Sequence, residues 1–433
     1  MKNILVLWLV AIGLQLQAQN TKRVILVSID GLRPEFYLSD KWHTPNLHKL
    51  VQLGAHAEGV NSVFPSVTYP SHTTIVTGTT PDKHGIFFNN MFEPDTIQKK
   101  IYWHFNQVAS PTVWEAANKA GLKTASLLWP ASAEAPVGFN IPDIGGMGKE
   151  VMEKYSIPAG ITDILKKEVF NGAQSLEMGN DVNVGKIAAW VIRNQQPDLM
   201  TIHMFGLDHA EHVAGREGKG VAEAIAAADS SIGLIWDAIK ETGRAGSTLF
   251  IVTGDHGFYD IDKTLNPNVL LAKAGLLQDI DYGAWQARFH AVGGSSFLFV
   301  KNNDKKVIDK VKKILQDLPV QERKYFRIIS EGDMKKIGAD PNAVFALSGL
   351  EGAAFGNAFK GDFITSGKGG THGHFPDTKN IQTGFIALGN TVTPGTNLDV
   401  MSLYDIAPII FKYLGLKDNG NMKGHVPLGL FKK

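Results

Sequence analysis

Three carboxylates close apolar segments of this chain: VILVSID ends on Asp30, LMTIHMFGLD on Asp208 and TLFIVTGD on Asp255. In an open parallel sheet the carboxyl ends of the strands share one edge, so acids sent there converge and repel one another. A divalent cation relieves that repulsion, and histidines accompany the acids: His212 four residues after Asp208, His256 beside Asp255, and Gly-Thr-His372-Gly-His374 further on. A spacing of four puts Asp208 and His212 on one face if the segment turns helically. Asp255 and His256 leave their run between two glycines, where the backbone is free to aim adjacent side chains at one centre. Either pair taken alone reads equally as a strand-end turn with an incidental histidine, whereas all of them together point to a site. With no cysteine in the chain, imidazole and carboxylate suit zinc, with manganese or iron as alternatives, and disfavour calcium. Asp30, Asp208, His212, Asp255, His256 and His372 supply ligands for two divalent metals, zinc foremost, with positions left open, an arrangement suited to hydrolysis.

The segment FPSVTYPSHTTIVTG offers nucleophiles in Ser66, Thr68, Ser71, Thr73, Thr74 and Thr77. A helix is expected to open near Pro70, because proline is tolerated in a first turn and hydroxyl residues there cap exposed amides. A hydroxyl beside a metal also ionises near neutral pH, and a helix N-terminus favours its anion and an incoming phosphate. Spacing does not choose among the six.

The elements that position these groups read as α/β. Apolar runs at 24–29, 125–129, 199–205, 248–253 and 381–388 are continuous rather than alternating, as in strands buried on both faces of a parallel sheet. Between them lie helical patterns; over 221–240, Val221, Ile225, Ile232, Ile235, Trp236 and Ile239 share one stripe, so helices are expected on both faces. Residues 261–359 mix a strand-like SSFLFV, a basic amphipathic helix around 307–318 and a Gly/Ala-rich loop, and read as an inserted subdomain within a catalytic unit spanning 19–433. The first 18 residues place Lys2 before an apolar stretch and end on Ala18, the pattern of a signal peptide; about 11 apolar residues do not cross a membrane core that needs roughly 20. The protein is therefore expected to be exported, periplasmic or extracellular, with no membrane anchor. The chain carries 43 basic and 42 acidic residues, and loss of Lys2 with the leader brings them into balance, so no nucleic-acid-binding surface is evident.

SIDGLRPEF, TPNLHKL, FPSVTYPSHTTIVTGTTPDKHGI, HGIFFNNM, LWPAS, GLDHAEH, TGDHGF and GGTHGHFPD, in that order from Ile29 to Asp377, resemble the nucleotide pyrophosphatase/phosphodiesterase branch of the alkaline phosphatase superfamily. The resemblance implies an alkaline-phosphatase-like fold, mostly parallel at its central sheet, and a small-molecule phosphodiester or nucleotide as substrate. It further implies that Thr68 is the nucleophile and a ligand of the metal held by Asp30, Asp255 and His256, while Asp208, His212 and His372 hold the second. Asn89, with the backbone amide of Thr68, would bind a nonbridging phosphate oxygen, and a phospho-threonine would form and then be hydrolysed. His372 is chosen over His374 because the family's histidine precedes glycine in this loop. Tyr69, next to the nucleophile, is placed to stack on a nucleobase, although a core tyrosine at a helix start is an equal reading.

Two departures bear on substrate. Where nucleotide-cleaving members write Tyr-Phe-Glu-Glu-Pro-Asp, this chain has His203-Met-Phe-Gly-Leu-Asp208, so the pocket tyrosine is replaced by His203. The sulfatase signature is echoed too, but it needs Cys or Ser at position 68 and Arg at 72, where Thr68 and His72 stand. Threonine-dependent monoesterases commonly add a Lys-x-Arg pair to hold the dianion; ASLLWPAS follows Lys123-Thr124 instead. The alternatives are a phosphomonoesterase or phosphonate hydrolase on the same scaffold, and a metal-stabilised binding protein without turnover. An intact nucleophile and ligand set disfavours the last.

Overall fold

Val24, Ile25, Leu26 and Val27 leave no polar face, and the strand they form, β1 (Arg23–Ile29), is buried throughout its length within an eight-stranded sheet. The computed structural model describes residues 21–94, 101–144, 147–279, 283–418 and 420–433; the signal peptide expected at 1–18 lies outside them. The remaining strands of this sheet are β2 (Ala55–His56), β3 (Thr124–Leu127), β4 (Phe139–Ile141), β5 (Leu199–Met204), β6 (Thr248–Thr253), β7 (Phe385–Leu388) and β8 (Thr396–Asn397). Their order is β8-β2-β7-β6-β1-β5-β3-β4. β1 runs parallel to β5 and β6, and β3 parallel to β5 and β4, whereas β7 runs antiparallel to both of its neighbours. The run at 381–388 therefore supplies a reversed strand, and only from Phe385. Continuous apolarity reports burial on both faces and carries no information about direction.

Alternation along β1 divides the interior into two layers. Ile25 and Val27 face a cluster with Ile187 and Val191 of helix α2 (Asp181–Asn194) and Ile225 and Ile232 of α4 (Lys219–Glu241). Val24 and Leu26 face the other cluster, with Ile75 and Val76 of α1 (Thr68–Thr77) and Ile406, Ile409 and Ile410 of α5 (Ile406–Leu414). On α4 the expected stripe is buried at Val221, Ile225, Ile232, Ile235 and Ile239, while Trp236 is half-buried and stacks on Phe250 with centroids 5.7 Å apart. The architecture is thus α/β, a mostly parallel sheet between helical layers. Each fully buried aliphatic side chain contributes roughly 1.5–3 kcal/mol of burial free energy, so these two layers supply the rigid frame of the site.

Register sets the edge at which the site lies. Ser28 pairs with His203 on one side and Thr253 on the other, so β1, β5 and β6 end level. Beyond β6 the strands Ala287–Val292, Ser295–Val300, Phe345–Gly349 and Phe326–Ile329 form a separate antiparallel sheet. It has its own apolar cluster, including Phe289, Leu298 and Leu347, which the helix Lys305–Gln316 covers with Val311 and Leu315.

Candidate active site

Where β1 stops, Asp30 follows at once and Gly31, with φ +76°, turns the chain so that its amide donates to Asp255 Oδ1 at 3.1 Å. Where β6 stops, Gly254 lets the chain pass a crowded point: a Cβ there would stand 2.1 Å from Thr383 Oγ1 and 2.8 Å from Leu32 Cβ. Asp208 is not at a strand end. β5 finishes at Met204, and Asp208 sits in the first turn of α3 (Gly206–Ala214), with His212 one turn further along the same face. The amide of Gly206, at the start of α3, donates to Asp181 Oδ1 at 3.1 Å, a carboxylate at the positive end of the helix.

These turns bring the expected ligand residues into two groups, Asp30 with Asp255 and His256, and Asp208 with His212 and His372; within each, one donor atom per residue lies within 4.8 Å of the others. The groups are neighbours, since the His256 and His372 rings stack at 3.6 Å. His256 Nε2 is 3.1 Å from both Asp30 Oδ1 and Asp255 Oδ2, yet these three buried atoms and Asp208 Oδ1 have no hydrogen-bond partner. Buried polar atoms are ordinarily satisfied, so converging unsatisfied carboxylate and imidazole atoms fit a divalent cation. The imidazoles are oriented for it: His212 Nδ1 donates to the Gly370 carbonyl and His372 Nδ1 to that of Ser66, each at 3.0 Å, leaving Nε2 of each facing Asp208.

Charge states in the metal-free chain agree. Burial, then Asp30, pushes the Asp255 carboxyl up, and burial, then Asp30, pushes Asp208 up to about 8. Burial also acts to raise Asp30, but His256 and His203 outweigh it and hold that carboxyl well below the usual range. Burial, then His256 and His212, drives His372 well below the usual imidazole range, which keeps it neutral and able to ligate. The site thus holds protons or charges awaiting a cation.

Of the six hydroxyls, five are committed to the scaffold. Ser66 donates to the His374 carbonyl, Ser71 pairs with Ser62, Thr73 donates to the Tyr69 carbonyl, Thr74 to that of Thr79, and Thr77 to that of Thr73. Thr68 is the half-buried member, at the first position of α1, and lines a cavity of about 680 Å³ together with Asp30, Asn89 and His203. Asn89 Oδ1 accepts from the Tyr69 amide at 2.9 Å, which turns its NH2 end away from that amide. The walls beyond are largely apolar, with Ile144, Met152, Leu176, Met178 and Phe205. Tyr69 lines the cavity too, but its hydroxyl is tied to Asp143 at 3.1 Å, and burial, then Asp143, holds its pKa well above the usual value. His203 is buried with both ring nitrogens engaged, Nδ1 by the Leu128 carbonyl at 3.0 Å and Nε2 by Asp30 Oδ2 at 3.1 Å. His374 is buried against the Ala353 carbonyl and belongs to neither ligand group.

Several residues of the site carry no signal in spacing. His72 donates from Nδ1 to the Thr68 carbonyl at 2.8 Å, and Ser66 accepts from the Gly373 amide, so the Ser66–Thr68 segment and the His372 loop are tied together. Arg33 and Glu211 pair within the site's floor. Only the position of Glu211 on the same helix as Asp208 and His212 hints at this in the sequence.

Residues 24–344 match the family model of type I phosphodiesterase / nucleotide pyrophosphatase. Venom phosphodiesterase 2 of Crotalus adamanteus is 25% identical over 404 residues, covering 88% of this chain and 44% of the venom protein. Ectonucleotide pyrophosphatase/phosphodiesterase family member 3 of Rattus norvegicus is 24% identical over 399 residues, covering 88% and 41%. The chain therefore spans less than half the length of these relatives. Among solved structures, murine ectonucleotide pyrophosphatase/phosphodiesterase 5, an inactive variant in complex with AMP, superposes with a TM-score of 0.67 at 19% identity over 94% of this chain and 97% of that one. The human counterpart gives 0.66 at 20% identity over 92% and 96%. The sheet order, the level strand ends and a family match over most of the chain agree, and the protein belongs to the type I phosphodiesterase/nucleotide pyrophosphatase family.

Proposed function

We propose that the protein is a metal-dependent phosphodiesterase or nucleotide pyrophosphatase that cleaves phosphodiester or phosphoanhydride bonds through a phospho-threonine on Thr68. The observation that carries this reading is Thr68 itself, the half-buried hydroxyl of its segment, standing at a helix N-terminus in one cavity wall with Asn89 and Asp30. Asp30, Asp255 and His256, with Thr68, would hold one divalent metal and Asp208, His212 and His372 the other, zinc being favoured by the nitrogen and oxygen donors. When bound, such a pair supplies Lewis-acid stabilisation of the attacking and leaving oxygens. Thr68 Oγ1 forms the new bond to phosphorus as the bond to the leaving oxygen breaks, the Thr68 proton departing with the leaving group as its hydroxyl; a water then attacks the phosphorus, the Thr68 Oγ1–phosphorus bond breaks, and one water proton passes to Oγ1. The backbone amide of Thr68 and the Asn89 NH2 group are donors for the nonbridging oxygen. Asn89→Ala should therefore lower kcat by about 100- to 1,000-fold with little change in KM, read from steady-state kinetics.

Charge supports a diester over a monoester. The lysines lining the cavity among the described residues, Lys149 and Lys166, already face carboxylates, Glu153 at 3.5 Å and Asp163 at 2.8 Å, which offsets their charge toward a second phosphate negative charge. Tyr69 offers its ring to the group esterified to phosphate, while His203 contributes through Asp30, whose orientation it fixes. The AMP in the murine structure supports testing nucleotides first. The venom and ecto names of the relatives support an exported enzyme, and no helix among the described residues is long and apolar enough to cross a membrane. The separate antiparallel sheet and its apolar cluster support reading 261–359 as an insertion on the catalytic core.

The test is hydrolysis of bis-p-nitrophenyl phosphate against p-nitrophenyl phosphate, with and without a chelator. The expected result is a chelator-sensitive preference for the diester. A preference for the monoester would replace this reading by a phosphomonoesterase or phosphonate hydrolase.

A further inference from the structure

Beneath the two ligand groups lies a charge network with no place in the chemistry above. Arg33, three residues after Asp30, is 1% exposed, and its Nε donates to Glu211 Oε1 at 2.7 Å. Glu211, 0% exposed, lies on α3 between Asp208 and His212. Arg33 Nη2 donates to the Arg216 carbonyl at 2.7 Å, and both arginines share the Glu35 carboxylate. Arg216 in turn donates to the carbonyls of Phe258 and Asn380. Phe258 packs edge-on against His212 and His372, at 5.0 and 5.2 Å. One guanidinium therefore reaches, directly or through one residue, the Asp30 loop, the Asp208/His212 helix and the segment after Asp255 and His256.

We infer that the Arg33–Glu211 pair is a positioning clamp that sets the separation of the two ligand groups and so governs metal loading at Asp208, His212 and His372. Arg33 divides the donors of one planar guanidinium among Glu211 Oε1, the Glu35 carboxylate and the Arg216 carbonyl, and three such anchors fix distance and angle together, which an exposed ion pair does not. The fit is close: a Cβ on Gly31 would stand 2.6 Å from Glu211 Oε2, so that oxygen rests against the backbone that turns out of Asp30. The Asp208 group is the one needing such help, since His212 is exposed whereas Asp30, Asp255 and His256 are all buried. The inference rests on the two-metal reading.

The test is calorimetric titration of Zn2+ into the chelator-treated full chain. Asp208→Asn identifies the isotherm of the second group. Arg33→Lys keeps charge but loses the fork, and Glu211→Gln keeps shape but loses charge. Each is expected to weaken that second isotherm 10- to 100-fold, the usual effect of disturbing a residue behind a ligand, and to leave the other unchanged. Saturating Zn2+ should restore kcat with KM unaltered. Melting curves report folding; should Glu211→Gln not fold, Glu35→Gln alters the outer, partly exposed end of the same network and is expected to weaken the same isotherm less. The inference is overturned if the folded variants bind both ions as the wild type does, or lose both equally. A wild type that takes up one ion, unaffected by Asp208→Asn, would overturn the two-metal reading as well.

Discussion

Thr68→Ala is expected to reduce kcat by at least about a thousand-fold, some 4 kcal/mol of transition-state stabilisation, while the chain keeps its melting temperature and its metals. The fold should tolerate the change because Thr68 is half-buried at the first position of α1 and its backbone, not its side chain, is held by His72. The other hydroxyls of the segment are poor substitutes. Ser71, Thr73, Thr74 and Thr77 point into helix and loop contacts, and Ser66 spans to the His374 carbonyl and the Gly373 amide. Single-turnover reaction with a 32P-labelled diester should label the wild type at Thr68 and leave Thr68→Ala unlabelled. A variant with unimpaired turnover, or a wild type that turns over without label, would transfer the attack to another group and end the phospho-threonine reading.

How far the sequence foretells this arrangement depends on the range of the interaction. The runs at 24–29, 199–205 and 248–253 identify β1, β5 and β6 because a strand buried on both faces has no polar position, which is a local property. The reversed direction of β7 is not local: it is decided by the chain's return after the separate sheet, and residues 385–388 look the same either way. Asp30 and Asp255 could be placed from strand ends, but Asp208 lies four residues beyond Met204 because Gly206 starts a helix there. Its spacing to His212 survives this, being a property of the helix itself. Spacing does not choose among the six hydroxyls, and the resemblance alone singles out Thr68; the partners that commit the other five to the scaffold lie up to 308 residues away in sequence, as with Ser66 and His374, beyond the reach of local pattern. Arg33 and Glu211 are the extreme case, 178 residues apart and each unremarkable in its own segment.

Metal removal should have the other large effect, and the pH dependence contributed by each ligand carboxylate has a definite sign. In the metal-free chain the Asp208 carboxyl, raised by burial and then by Asp30, titrates at about 8 instead of 3.8; its side chain is 19% exposed, which tempers the size of the rise without changing its direction. Between those values the unfolded chain has released a proton that the folded chain keeps, so stability falls as pH rises through this window. Asp255, also raised, acts in the same direction. Asp30, depressed, contributes stability that is lost only as pH falls below the ordinary carboxylate range, outside the interval from pH 5 to 8. His372, driven well below the imidazole range, acts the other way, its stability being lost as pH falls below the ordinary imidazole range, so the carboxylate contribution is read as the difference in pH dependence of Tm between the chelator-treated wild type and Asp208→Asn. Zinc opposes the carboxylate contribution, because it binds the ionised carboxylates and so binds more tightly at pH 8. At a free concentration a hundred times Kd, one such ion adds about 2.7 kcal/mol of stability. Scanning calorimetry at both pH values, with chelator and with zinc, should show the larger zinc-induced rise in Tm at pH 8. In Asp208→Asn a side chain that never ionises removes the Asp208 share, so between pH 5 and 8 the Tm of the chelator-treated variant should fall less, or rise more, than that of the wild type, with the Asp255 share remaining. Equal zinc-induced rises at the two pH values would mean that these carboxylates are not the groups the metal meets.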